Sequence, residues 1–129
     1  MNAFDTNIVV RILVDDDPKQ SARARDAAAA GGFVSKTVVL ETFWVLESIY
    51  GLKHDLILSA LLELAALPGV EIEDVVGLGQ AVRLTQAGLD FEDAYHFAGA
   101  RRSTAFLTYD RSLVRRASRL GVTPPVRMP

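Results

Sequence analysis

Helix-breaking and helix-starting residues recur at short intervals along this chain, and they leave room for little except short strands alternating with helices. Asp17-Pro18, Gly31-Gly32, Gly51, Pro68-Gly69, Gly88 and Gly121 divide the sequence, because proline suits a first helical turn and glycine ends one. Short apolar runs at 3–5, 33–35, 70–72 and 105–109 read as strands, with a last edge strand in the tail at 122–129. The pieces between them predict helices over 7–13, 18–30, 37–50, 55–67, 75–87, 91–102 and 111–120. Asp17, Thr37, Asp90 and Asp110 stand where helix caps belong. Strand-helix alternation over the whole length predicts an α/β three-layer sandwich, with a short, mostly parallel central sheet flanked by helices.

The 129 residues suit one domain, 1–129, long enough to bury roughly two-thirds of its unfolded surface. There is no cysteine, which removes disulfide and zinc-thiolate chemistry. Asp5, Asn7 and Arg11 interrupt the first apolar run, so it does not read as a signal peptide. No run approaches the length of a membrane span, and the cytoplasm is the expected compartment. Net charge is −2, unevenly distributed: from Arg101 onward there are seven arginines and one acid, Asp110. A basic C-terminal fifth can face phosphates.

Asp5, between apolar stretches at the first strand-to-helix turn, reads as a buried carboxylate that needs a partner. Asp90 and Asp110 suit caps, and Asp93 lies three residues past one, so each has an ordinary structural reading. In a parallel sheet, however, the helices that follow the strands begin at one carboxyl edge, where open α/β folds bind ligands. Glu41, early in a helix expected to be largely buried, points inward on this reading, which no cap explains. Carboxylates gathered there repel one another unless a cation intervenes. All-oxygen donors suit Mg²⁺ or Mn²⁺ over zinc, and such ions promote phosphodiester hydrolysis.

Phe4-Asp5-Thr6-Asn7, Leu40-Glu41-Thr42, Asp90-Phe91-Glu92-Asp93-Ala94-Tyr95-His96 and Thr108-Tyr109-Asp110 resemble, in order and spacing, the PIN-domain ribonucleases and specifically the VapC-type toxins of bacterial toxin-antitoxin pairs. The resemblance implies an acidic metal site of Asp5, Glu41, Asp93 and Asp110, supported by Thr6, Asn7 and Thr108, with Asp90 either a further ligand or only a cap. It also implies a Mg²⁺- or Mn²⁺-dependent endoribonuclease leaving a 5′-phosphate, held in check by a VapB-type antitoxin and dimeric. Arg111 and Arg115 are the arginines best placed for RNA phosphates, while Arg101 and Arg102 suit a helix C-terminus. His96 reads as a packing or surface histidine, and Trp44 and Tyr50 as core.

Two other readings compete. Residues 12–18, Ile-Leu-Val-Asp-Asp-Asp-Pro, resemble the opening of a response-regulator receiver domain, with Asp55 as phosphoacceptor, although the chain has no lysine after Lys53. A non-catalytic α/β protein-binding module whose acids are all caps is the other.

Overall fold

A computed structural model describes all 129 residues. It divides into two compact units, Met1–Val75 and Val76–Pro129.

In the first unit three short strands, β1 (Asn2–Ala3), β2 (Gly32–Val34) and β3 (Val70–Ile72), form a parallel sheet in that order. The register pairs Asn2 with Gly32 and Gly32 with Val70. The ladder extends past β1, where the Phe4 amide donates to the Phe33 carbonyl at 2.9 Å. Four helices belong to this unit: α1 (Thr6–Leu13), α2 (Pro18–Ala30), α3 (Lys36–Ser48) and α4 (His54–Ala66). Asp17 caps α2 by accepting from the Gln20 amide, with Pro18 in the first turn as expected. Contacts run from α1 to α2 and α3, and from α4 to α3 and β3. Val9, Val34, Val39, Leu46, Ile57, Leu61 and Leu64 are fully buried in the core of the unit, and burial of this kind is the main term favouring a fold.

Gly32 shows why the end of α2 needs two glycines. Gly31 takes φ 105° as the C-cap, a conformation that suits glycine. Gly32 is already strand, and a Cβ there would lie 2.0 Å from the Phe4 ring. The pair therefore ends a helix and opens a strand under an aromatic side chain.

Two local expectations change in α3. Ser35, and not Thr37, is its cap: the Ser35 hydroxyl accepts from the Val38 amide at 3.3 Å and lies 3.1 Å from the Thr37 hydroxyl. The helix is also buried on one side only, through Val39, Thr42, Phe43 and Leu46, while Trp44 and Ile49 are exposed. Tyr50 is half-buried and polar in its role. Its hydroxyl donates to Asp16 Oδ2 at 2.8 Å and accepts from Arg11 at 3.2 Å. Arg11 also donates to Asp16 Oδ1 at 2.5 Å and to Gln20 Oε1 at 2.8 Å, so one charged cluster joins α1, the turn before α2, and the end of α3.

The second unit holds α5 (Val75–Gln86) from its second residue onward, α6 (Phe91–Gly99), β4 (Phe106–Leu107), α7 (Arg111–Leu120) and β5 (Val126–Arg127). β4 and β5 pair in parallel, Phe106 with Val126 and Leu107 with Arg127. Leu78, Ala81, Val82, Leu89, Phe91, Ala94, Phe97, Ala98, Leu113 and Ala117 are among its buried apolar residues. α6 stops at Gly99, short of the expected Arg102, and Arg101 satisfies its end by donating to the Ala98 carbonyl at 2.9 Å. Gly121, in the left-handed region at φ 62°, closes α7.

Seven helices between short strands, with every strand pairing parallel, are those of an α/β sandwich fold. The hydrogen-bonded ladders number two, one in each unit.

Candidate active site

In the first unit the strand-to-helix connections at the carboxyl edge of the sheet carry the polar groups. Asp5 follows β1 and is the cap of α1, its Oδ1 accepting from the Ile8 amide at 3.1 Å. It is exposed, so the expectation of a carboxylate in a core is corrected: one oxygen is used by the cap and the group remains in water. Thr6 is buried, and its hydroxyl donates to Glu41 Oε1 on α3. Asn7 is exposed in the first turn of α1. Glu41 lies in the second turn of α3 and is exposed. The inward orientation expected for it is therefore corrected as well, because only the opposite side of α3 meets the core. What holds Glu41 in place is the Thr6 hydroxyl.

Sequence reasoning missed one group on this edge. The Lys36 amide donates to Glu73 Oε1 at 2.9 Å, and its ammonium pairs with Asp74 at 3.4 Å. Lys36 follows the cap Ser35 and Glu73 follows β3, so the two connections are tied directly. A lysine beside a cap residue, with two acids just after a later strand, was the available signal.

In the second unit Asp90, Asp93 and Asp110 are arranged around α6 and α7. Asp90 stands at the cap position of α6 with extended backbone, yet its side chain makes no cap hydrogen bond. Its carboxylate instead lies 4.0 Å from Arg116 of α7. Asp93 is the third residue of α6 and half-buried. Burial, followed by the negative charges of Asp90, Asp110 and Glu92, raises the Asp93 carboxyl above the usual carboxylate range, against a smaller opposing effect of His96. Asp110 caps α7, Oδ1 accepting from the Leu113 amide at 3.0 Å, while its own amide donates to the Thr108 hydroxyl at 3.0 Å. Thr108 thus fixes the backbone that presents Asp110. His96 is exposed and 3.5 Å from Glu92, a surface pair. Arg111 and Arg115 are exposed on α7.

The donors present are carboxylates and hydroxyls, the chemistry of a hard, oxygen-preferring divalent ion. The mutual repulsion felt by Asp93 is what such an ion relieves. No three Asp, Glu or His side chains stand close enough together to hold a metal ion as they are placed. The donor chemistry in each unit fits a divalent ion.

The PIN domain family matches residues 3–119, a span that includes all four of the acids Asp5, Glu41, Asp93 and Asp110. The chain belongs to the PIN-domain family. A search of curated proteins gave no match. PIN domains are a nuclease-type fold and are generally metal-dependent nucleases, so the coarse activity of this PIN domain is that of a hydrolase. The receiver-domain reading has no footing in the structure. Asp55, its supposed phosphoacceptor, is exposed in the first turn of α4 and does not end a strand. No helix is long and apolar enough to cross a membrane.

Proposed function

We propose that this PIN-domain protein is a Mg²⁺- or Mn²⁺-dependent endoribonuclease, the cytoplasmic toxin of a toxin-antitoxin pair, in which Asp5, Glu41, Asp93 and Asp110 are the acids that serve the metal. The observation that carries the reading is the half-buried Asp93 carboxyl within a PIN domain, raised above the usual carboxylate range by burial first and then by the charges of Asp90 and Asp110. When bound, the ion supplies Lewis-acid charge at the phosphodiester and acidifies a water to make the nucleophile.

The chain's own residues orient and bind. Asp5 and Asp110 each use Oδ1 for a helix cap, and their carboxylates would also help to hold the ion. Thr6 holds Glu41, and Thr108 holds the backbone at Asp110. Asn7 is assigned to hydrogen bonding of water beside Asp5. Asp90 makes no cap bond and is assigned as an auxiliary acid that repels Asp93. Arg111 and Arg115 are assigned to RNA phosphates.

A module whose acids were only caps or surface partners would explain Asp5, Asp110 and, through Arg116, Asp90, but it leaves the half-buried Asp93 without a role. A VapB-type antitoxin and a second copy of the chain are the proposed protein partners. Trp44 at 57%, Ile49 at 67% and Leu56 at 56% exposure on and around α3 and α4 supply apolar surface for such contacts.

The test is cleavage of RNA by the isolated chain with Mg²⁺ or Mn²⁺, its arrest by EDTA, and its loss in Asp5→Asn with the fold retained. Equal cleavage by Asp5→Asn and wild type defeats the assignment. A short neighbouring reading frame for a DNA-binding antitoxin supports the toxin role, and its absence removes that role while leaving the nuclease.

A further inference from the structure

Tyr109 is 80% exposed, although the backbone on both sides of it is firmly held. The Thr108 amide donates to the Arg127 carbonyl at 3.1 Å, the Thr108 hydroxyl accepts from the Asp110 amide at 3.0 Å, and Asp110 caps α7. Phe106 turns inward against Phe97, with ring centroids 5.8 Å apart. Leu107, 55% exposed, takes the other face of β4, and Tyr109 stands in the bend that leads from β4 into α7. The parallel register sets Arg127 beside Leu107. An aromatic ring is thus presented to solvent on a rigid turn next to Asp110.

The helix that begins just after Tyr109 is cationic. At 100° per residue, Arg111, Arg115 and Arg119 of α7 lie opposite the buried Leu113 and Ala117, and all three are exposed. They recur about 6 Å apart along the helix axis, the scale of one nucleotide of extended backbone. Arg116 is the arginine already engaged, donating to the Gly88 carbonyl at 3.4 Å and facing Asp90 at 4.0 Å.

We propose that Tyr109 is a stacking platform for one unpaired base of an RNA strand whose phosphates lie along the arginine face of α7. The pairing of an exposed ring with a cationic track is the chemistry of single-strand binding, in which the ring takes a base face and the charges take the backbone. A duplex keeps its base faces inside the stack, so the Tyr109 ring can take only an unpaired base, which it sets beside Asp110 in sequence. This inference rests on the ribonuclease reading above and deepens it by naming the residue that positions a base of the substrate.

The experiment measures binding of a short oligouridylate in EDTA, where no cutting occurs. Tyr109→Ala, a surface change, should keep the melting temperature and weaken binding by about fivefold to a hundredfold. Tyr109→Phe should bind like wild type, and the salt dependence of binding should be the same in Tyr109→Ala. Arg115→Gln should instead lower the salt slope by about one phosphate. In Tyr109→Trp, oligouridylate should quench the new indole. If wild type binds oligouridylate and Tyr109→Ala binds it equally, the platform is overturned and the nuclease reading stands. If wild type neither binds nor cleaves RNA, both fall. Equal weakening of an RNA hairpin stem and of oligouridylate in Tyr109→Ala overturns the selection for unpaired bases.

Discussion

The Thr6 hydroxyl donates a hydrogen bond to the Glu41 carboxylate, joining the first turn of α1 to the second turn of α3. Thr6 is buried and Glu41 is exposed, so the bond fixes a carboxylate that water would otherwise leave free to rotate. Thr6→Val keeps the volume and removes the donor. It should cost about 1 kcal/mol, at the modest end for a charged acceptor because Glu41 can be resolvated, or roughly 3–5 °C in melting temperature. Cleavage should fall by about 10- to 100-fold, as expected of a residue that orients a metal ligand. A calorimetric scan and a cleavage assay on one preparation check both numbers, and unchanged cleavage would show that Glu41 needs no fixed orientation.

Asp93 gives a stability prediction of unusual sign. Its folded-state pKa is raised, chiefly by burial and then by Asp90 and Asp110, so the folded chain binds a proton more readily than the unfolded chain. Ionised Asp93 therefore disfavours the fold above its folded pKa, and this penalty disappears as pH falls through that value toward the ordinary carboxylate range. Asp93→Asn should leave the metal-free protein as stable or slightly more so near neutral pH. The gain is small, because Asp93 is only half-buried and water screens its neighbours. The variant should also lose the rise in melting temperature that Mn²⁺ gives wild type. Thermal melts with and without Mn²⁺ decide it, and a clear destabilisation with no metal response in wild type sinks the metal assignment.

The cluster of Arg11, Asp16 and Tyr50 titrates in the opposite sense. The hydrogen bond from Tyr50, then the hydrogen bond and the charge of Arg11, hold the Asp16 carboxyl below its ordinary value despite some desolvation. Its contribution is present above the unfolded carboxylate pKa and is lost as pH falls through the lower folded value. Tyr50→Phe removes the leading cause while keeping the ring. The Asp16 midpoint in an NMR titration should then move up toward that of a free aspartate. An unmoved midpoint would mean that Arg11 alone sets it.

The parts of this molecule that were legible in the sequence are those decided locally. Asp17-Pro18, Asp110 and Gly121 each act within one helical turn, and each caps or closes the helix expected of it. The strand Val70–Ile72 is recognisable because Pro68-Gly69 isolates it. Ser35 and Thr37 are two hydroxyls two residues apart, and only the backbone path out of β2 decides between them. The exposure of Asp5, Glu41 and Trp44 was not legible either. Periodicity counts apolar positions on a helix, whereas burial depends on which faces of α1 and α3 find a partner. Gly32 beneath the Phe4 ring and Lys36 tied to Glu73 and Asp74 are contacts between distant segments, outside the reach of any local rule.

Asp110 is where the structural and chemical roles of an acid can be pulled apart. Its Oδ1 caps α7 through the Leu113 amide, a task that serine performs equally well. Asp110→Ser should therefore keep the stability of the chain within about 0.5 kcal/mol, whereas Asp110→Ala, without a cap, should lose about 1 kcal/mol. As a metal ligand the carboxylate has no substitute in either variant. Both should lose cleavage by more than the roughly 10- to 100-fold typical of groups that only orient a ligand, and the Asp93 carboxyl should titrate lower in both because one repelling charge is gone. Chemical denaturation, an NMR titration of Asp93 and the cleavage assay separate the two roles. Full cleavage by the stable Asp110→Ser variant would return Asp110 to being a cap and nothing more.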